Sequence, residues 1–162
     1  MITKDKSLEI MRNQGKADAL DLRERAPSLT GTEIIAEENK IPNFDNTKDY
    51  TKCAIGIPVI DDGQVWILIQ PYNAANHPQK PAELRAHWGL AHTKDPYKAK
   101  PWVASYGTSG LYMIDEVCIY PNKEGIDHVY RNKHDNNQYP PETLNVEHFW
   151  EDLGEVILYV QR

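Results

Sequence analysis

Flat aromatic rings set among side-chain amides are the residues of this chain with the clearest chemistry to offer. A ring face covers the apolar C–H side of a pyranose, and nearby amides or carboxylates hydrogen-bond its hydroxyls. Tyr72 with Gln70 and Asn73, and Tyr130 with Asn136, are the sets in which ring and amide fall within a few residues of each other. Trp102, Tyr106 and Tyr139, with Asp135 and Asn137 close by, extend the candidates.

Other chemistries find little support. The six histidines, His77, His87, His92, His128, His134 and His148, include no pair four apart around a glutamate and no Cys-His spacing suited to zinc. There is no Gly-rich phosphate loop, no Gly-x-Ser-x-Gly elbow and no cysteine in a nucleophile context. Asp61, Asp62, Asp115, Glu116, Glu151 and Asp152 read as solvated turns and strand ends, because paired acids run glycoside hydrolysis only across a cleft of fixed separation. The expectation is a protein that is not an enzyme and that takes no metal or cofactor.

Composition bounds the partners. A formal net charge of -6, from 18 Lys and Arg against 24 Asp and Glu, gives no footprint for nucleic acid. No apolar run is long enough to enter a membrane, and the opening Met1 to Lys6 lacks the apolar stretch of a secretory signal, so synthesis in the cytoplasm without signal peptide or transmembrane segment is expected. Cys53 and Cys118 fall in similar parts of two related stretches. They read either as small core residues or as a disulfide joining those stretches, the reducing cytoplasm favouring the first.

The elements that must position these groups follow from pattern. Leu8, Met11, Gly15, Ala19, Leu22 and Ala26 recur at spacings of three and four, which predicts a helix over about Ser7 to Ala26, closed by Pro27. Its stripe is too thin to stand alone. Either it folds back on its own chain or it assembles with other copies or a larger particle. Thr30 and Glu33 have capping-box spacing and predict a second helix to about Asn39. Cys53–Ile60 and Val65–Ile69 around Asp61-Asp62-Gly63 predict a hairpin, and Tyr112–Tyr120 and Ile126–Asn132 a second one around Pro121 to Gly125. A short helix over Ala82–Ala91, an edge strand at Trp102-Val103 and a final strand at Ile157–Val160 complete the expectation.

The two hairpins belong to a loose internal repeat at an offset of about sixty residues. Tyr50, Val59, Gly63, Val65-Trp66, Asn73 and Trp88 run parallel to Tyr112, Val117, Gly125, Val129-Tyr130, Asn136 and Trp150. Rings repeated at such positions are expected to fill small cores, which assigns Tyr50, Trp66, Trp88, Tyr112 and Trp150 to structure. The fold class expected is α+β: a helical segment over 1–44, a β module over 45–92, a connection over 93–106 and a second β module over 107–162.

The order of the repeat, Tyr, Val, Gly, Val-aromatic, Asn and closing Trp, resembles the small chitin- and cellulose-binding modules of carbohydrate-binding families 5 and 12. The longer string Thr30-Gly-Thr-Glu33, Ile41-Pro42-x-Phe44, Leu68-x-Gln70-Pro71-Tyr72, Pro81-Ala-Glu-Leu84, His87-Trp88-Gly89 and Asp95-Pro96 is similar to short virion proteins of tailed phages and prophages. This resemblance implies a non-enzymatic tail, baseplate or head-fibre component, with two carbohydrate-binding-like modules for host-surface glycan. It implies attachment to other virion proteins through the N-terminal helices, and a homo-oligomer, by preference a trimer. One departure stands out: the tandem aromatic platform that follows the Val-aromatic strand in sugar-binding relatives is replaced by Gln70-Pro71 and His134-Asp135. The alternatives are a purely structural virion protein, or a glycan-binding accessory of a cell-wall hydrolase.

Overall fold

In the computed structural model, which describes residues 1–142 and 146–160, threonine side chains open both N-terminal helices. The Thr3 hydroxyl accepts from the Lys6 amide and starts α1 (Lys4–Arg25). Thr30 accepts from the Glu33 amide at 3.2 Å and donates to its carboxylate at 3.0 Å, starting α2 (Gly31–Ala36) where the capping-box spacing places it. Among the described residues there are six strands, β1 (Pro58–Asp61), β2 (Gln64–Leu68), β3 (Trp88–Leu90), β4 (Val117–Pro121), β5 (Asp127–Asn132) and β6 (Trp150–Glu155), with a short α3 (Val146–Phe149) before the last. They form two three-stranded antiparallel sheets, β1-β2-β3 and β4-β5-β6, and the fold is α+β.

The first hairpin closes through Asp62 and Gly63, both at positive φ (48° and 73°), the two-residue turn whose twist suits paired strands. Strand alternation then sends β2 to two cores. Trp66 and Leu68, with Val59, face an aromatic cluster of Tyr50, Tyr72 and Trp88. Val65 and Ile67, with Ile60, face Leu22, Ala26, Ile34 and Ile35 from the helices. Both sides of this small sheet are thus covered. At the helix corner Gly56 adopts φ 103°, and a Cβ there would come within 2.8 Å of the Pro27 backbone.

The repeat is structural. The Tyr50 and Trp88 rings meet edge to face at 5.2 Å, and Tyr112 and Trp150 do the same at 5.2 Å. Leu68 donates its amide to Ile57 and Asn132 donates to Glu116, so the two central strands end alike. Gly56 and Asp115 (φ 71°) then occupy equivalent left-handed positions, their amides donating to Leu68 and Asn132. Pairing Val59 with Trp66 and Cys118 with Tyr130 aligns Cys118 with Val59. Cys53 precedes that strand, so the two cysteines are not equivalent, and both are free.

Three expectations shift. Ala82–Ala91 holds only a 3-10 turn at Pro81–Glu83, after which Trp88 joins β3 opposite Leu68, because covering Tyr50 requires the indole in the sheet. Trp102-Val103 forms no strand. Instead the stretch Lys100 to Trp102 lies along β4, with Trp102 N–H donating to Ile119 and Ile119 N–H to Lys100, and Pro101 has no amide to extend the ladder. The last strand is Trp150–Glu155, and Val156–Tyr159 is a 3-10 turn that leaves Ile157 and Leu158 exposed.

The segment boundaries interlock. Ile60 donates to Pro42, and Phe44 donates to Ile60, so residues 42–44 already flank β1. Val117 donates to Thr93 at 2.8 Å and the Gln64 amide side chain donates to Pro101 at 2.9 Å, so the connection over 93–106 joins both modules. Residues 143–145 and 161–162 of the 107–162 span lie outside the described residues.

Candidate functional site

On the face of the second module, the β4–β5 loop, β6 and the ends of α3 border an open groove of about 1080 Å³. Tyr120, Asn122, Glu142, His148 and Asp152 line it, with Tyr130 and Trp150 beneath. The loop owes its shape to Asn122, whose Oδ1 accepts from the Glu124 and Ile126 amides. Its Nδ2 donates to His128 Nε2 at 3.1 Å, and His128 Nδ1–H donates to Asp152 at 2.8 Å. Tyr120 donates its hydroxyl to Glu142 at 3.1 Å, which ties strand to loop.

This chain of hydrogen bonds fixes the neutral histidine as the Nδ1–H tautomer and engages its second nitrogen with an amide. His128 itself is thereby left without the free lone pair that a general base needs. The groove does offer carboxylates, one side-chain amide and the Tyr120 hydroxyl around one concave surface, a composition able to hold a polar ligand.

The nominated residues are separated by the fold. Tyr72 is buried, between Tyr50 and His87, with Trp88 Nε1–H donating to its hydroxyl at 2.8 Å. Tyr130 is 4% exposed, packed with Tyr112, Cys118 and Trp150. Neither ring has a free face, so both are corrected from binding platforms to core: Tyr130 points inward from β5, Tyr72 packs inward from the segment after β2, and small sheets need large rings to close. Gln70 is exposed, and its backbone carbonyl accepts from His87 Nδ1. Asn73 uses Oδ1 to cap the Ala75 amide. Asn136, at φ 57°, lies beside Met113 at the junction of the modules, away from the groove beside Tyr130. Tyr50, Trp66, Trp88, Tyr112 and Trp150 are all buried in the cores.

Among the other rings, Tyr106 and Tyr139 are exposed while Trp102 packs edge to face on Tyr120. The groove residues Asn122 and Glu142 were missed by sequence reasoning, His128, which bonds to two of the lining residues, was weighed only as a metal ligand, and Asp152 was read as a solvated strand end. The antiparallel register places His128, Tyr130 and Asp152 together, a pairing no short motif announces.

The module junction is a second distinctive spot. His92 stacks on Tyr112 at 3.8 Å and donates Nε2–H to Gly110, and burial pulls its pKa down to about 4. Next to it Arg85 lies over the Trp66 ring at 5.2 Å and donates to Ala104, while its Nε and second terminal nitrogen are buried without partners. These contacts hold the modules together rather than opening a site.

Among the described residues, no group of three or more His, Cys, Asp and Glu side chains is placed to hold a metal ion. No described helix is long and apolar enough to cross a membrane. Compared with family models, curated proteins and solved structures, the chain gives no match.

Proposed function

We propose that this chain is a non-enzymatic virion component of a tailed phage, made in the cytoplasm of the host bacterium. It displays two joined β modules and makes its contacts within the particle through α1. The observation that carries the reading is the division of labour in the molecule. The modules spend their largest rings on their own cores, while α1 leaves Leu8 and Met11 exposed on a helix that reaches beyond them. The phage-like string from Thr30 to Pro96 supports the same reading. Purified particles from the genome that encodes the chain, analysed by mass spectrometry, are expected to contain it at a fixed ratio to the major capsid or tail protein. Recovery of the chain only from the soluble lysate would count against this role.

Attachment to host glycan is a second reading, favoured by the groove of Tyr120, Asn122, Glu142 and Asp152. Weak sites of this sort act through many copies on one particle. Titration of isotope-labelled protein with cell-wall oligosaccharides is expected to move the signals of the groove residues. Asp152→Ala is expected to abolish those shifts, and saturating sugar without any shift would leave a purely structural role.

A further inference from the structure

We propose that α1 pairs with α1 of a second copy of this chain, antiparallel, about a two-fold axis near Met11. The inference rests on the reading of α1 as a contact element and on nothing else in the proposed function.

Among the described residues of α1 only Leu22 is buried. With Ala26 it docks the end of the stripe onto the chain's own first module. The same stripe continues outward through Gly15, Met11 (68% exposed) and Leu8 (41% exposed), so a face already used for packing extends past the module without cover. Gly15 has no local use: a Cβ there meets nothing within 4 Å, and its φ is not left-handed. Mid-helix glycine costs about 0.5–1 kcal/mol relative to alanine, a cost that close approach of another side chain offsets.

Orientation follows from sterics and charge. Each chain's own module occupies the stripe face beyond Ala19, so two parallel helices face to face drive one module into the other. Antiparallel helices overlap only their free ends, about fifteen residues or about 20 Å, and send the modules to opposite ends. In that arrangement like flanks meet, and residues whose numbers sum to about 21 to 23 stand opposite. Lys4 then meets Asp18 of the second copy, Asp5 meets Lys16 and Glu9 meets Arg12, each pair opposite in sign. Leu8 lies over the open space at Gly15. The pairing is isologous, every contact being made twice, and it gives a two-chain assembly in place of the expected trimer.

Sedimentation or light scattering of the full chain over a concentration series tests this. The expected mass rises from one chain to a limit of two. Gly15→Arg, at an exposed position, is expected to hold the chain at one without lowering the thermal melt of the single chain. Asp5→Lys and Lys16→Glu are each expected to weaken pairing roughly two- to tenfold, and the double variant to restore it. A wild-type mass of one chain into the millimolar range, a limit of three, or pairing indifferent to Gly15→Arg overturns the proposal. Single copies on purified particles would overturn the pair and leave the virion reading standing; a pair in solution with no chain on particles would do the reverse.

Discussion

His92 and Tyr72 show how single polar atoms inside these small cores set the conditions under which the molecule holds together. The His92 pKa is lowered to about 4 by burial from an ordinary 6.5. Between those values the unfolded chain binds a proton that the folded chain refuses, so stability is complete above about pH 6.5 and is lost as pH falls toward 4. The loss is on the order of 3 kcal/mol. Urea midpoints measured across that range are expected to fall in the wild type and to flatten in His92→Gln. An unchanged pH slope in that variant would remove His92 as the cause. Tyr72 makes the complementary case. Burial raises its pKa and keeps it protonated, and its oxygen accepts from the buried Trp88 indole. Tyr72→Phe leaves that N–H unpaired and is expected to cost about 1–3 kcal/mol in urea denaturation, although it keeps the ring that a binding platform requires. Here the sequence misleads for a physical reason: a ring beside amides has the same composition whether the backbone turns it inward or outward.

At the scale of elements, what the sequence makes legible is what local chemistry decides. The Thr30 cap, the Asp62-Gly63 turn, the α1 stripe and the Tyr–Trp pairs of both modules all sit where spacing puts them. What it hides is decided by partners far along the chain. Trp88 reads as helical four residues after Leu84, yet pairing with Leu68 draws it into a strand. The His128–Asp152 contact of the groove depends on a register 24 residues long in sequence, which no local pattern carries. The helix corner gives a direct test of such long-range fit. Gly56→Ala is expected to destabilise by more than 1 kcal/mol, through both its positive φ and the contact with Pro27, and a neutral urea midpoint would mean the corner yields. Arg25 ties the same corner from outside, holding Glu37 in a two-pronged pair at 3.0 and 2.9 Å that pulls the Glu37 carboxyl down to about 2. That contribution is present above about pH 4.5 and disappears only as pH falls toward 2, so it is separable from the His92 effect.

The whole molecule is two copies of one β module, joined edge to edge by the 93–106 connection, with α1 reaching out from the first. Each copy solves the problem of a three-stranded sheet, too small for a conventional core, by closing a tyrosine and a tryptophan over it. The price is that the rings a sugar-binding surface would display are consumed, and the exposed chemistry passes to the groove of the second module and to the helix. The proposed virion role has α1 turned to its contacts and the modules presented outward. Immunogold electron microscopy of intact particles, with one antibody against the second module and another against residues 4–16, tests that claim most directly. The account predicts gold on the particle exterior with the first antibody and little with the second. Particles left unlabelled by both, with the chain present in the soluble lysate, would contradict it.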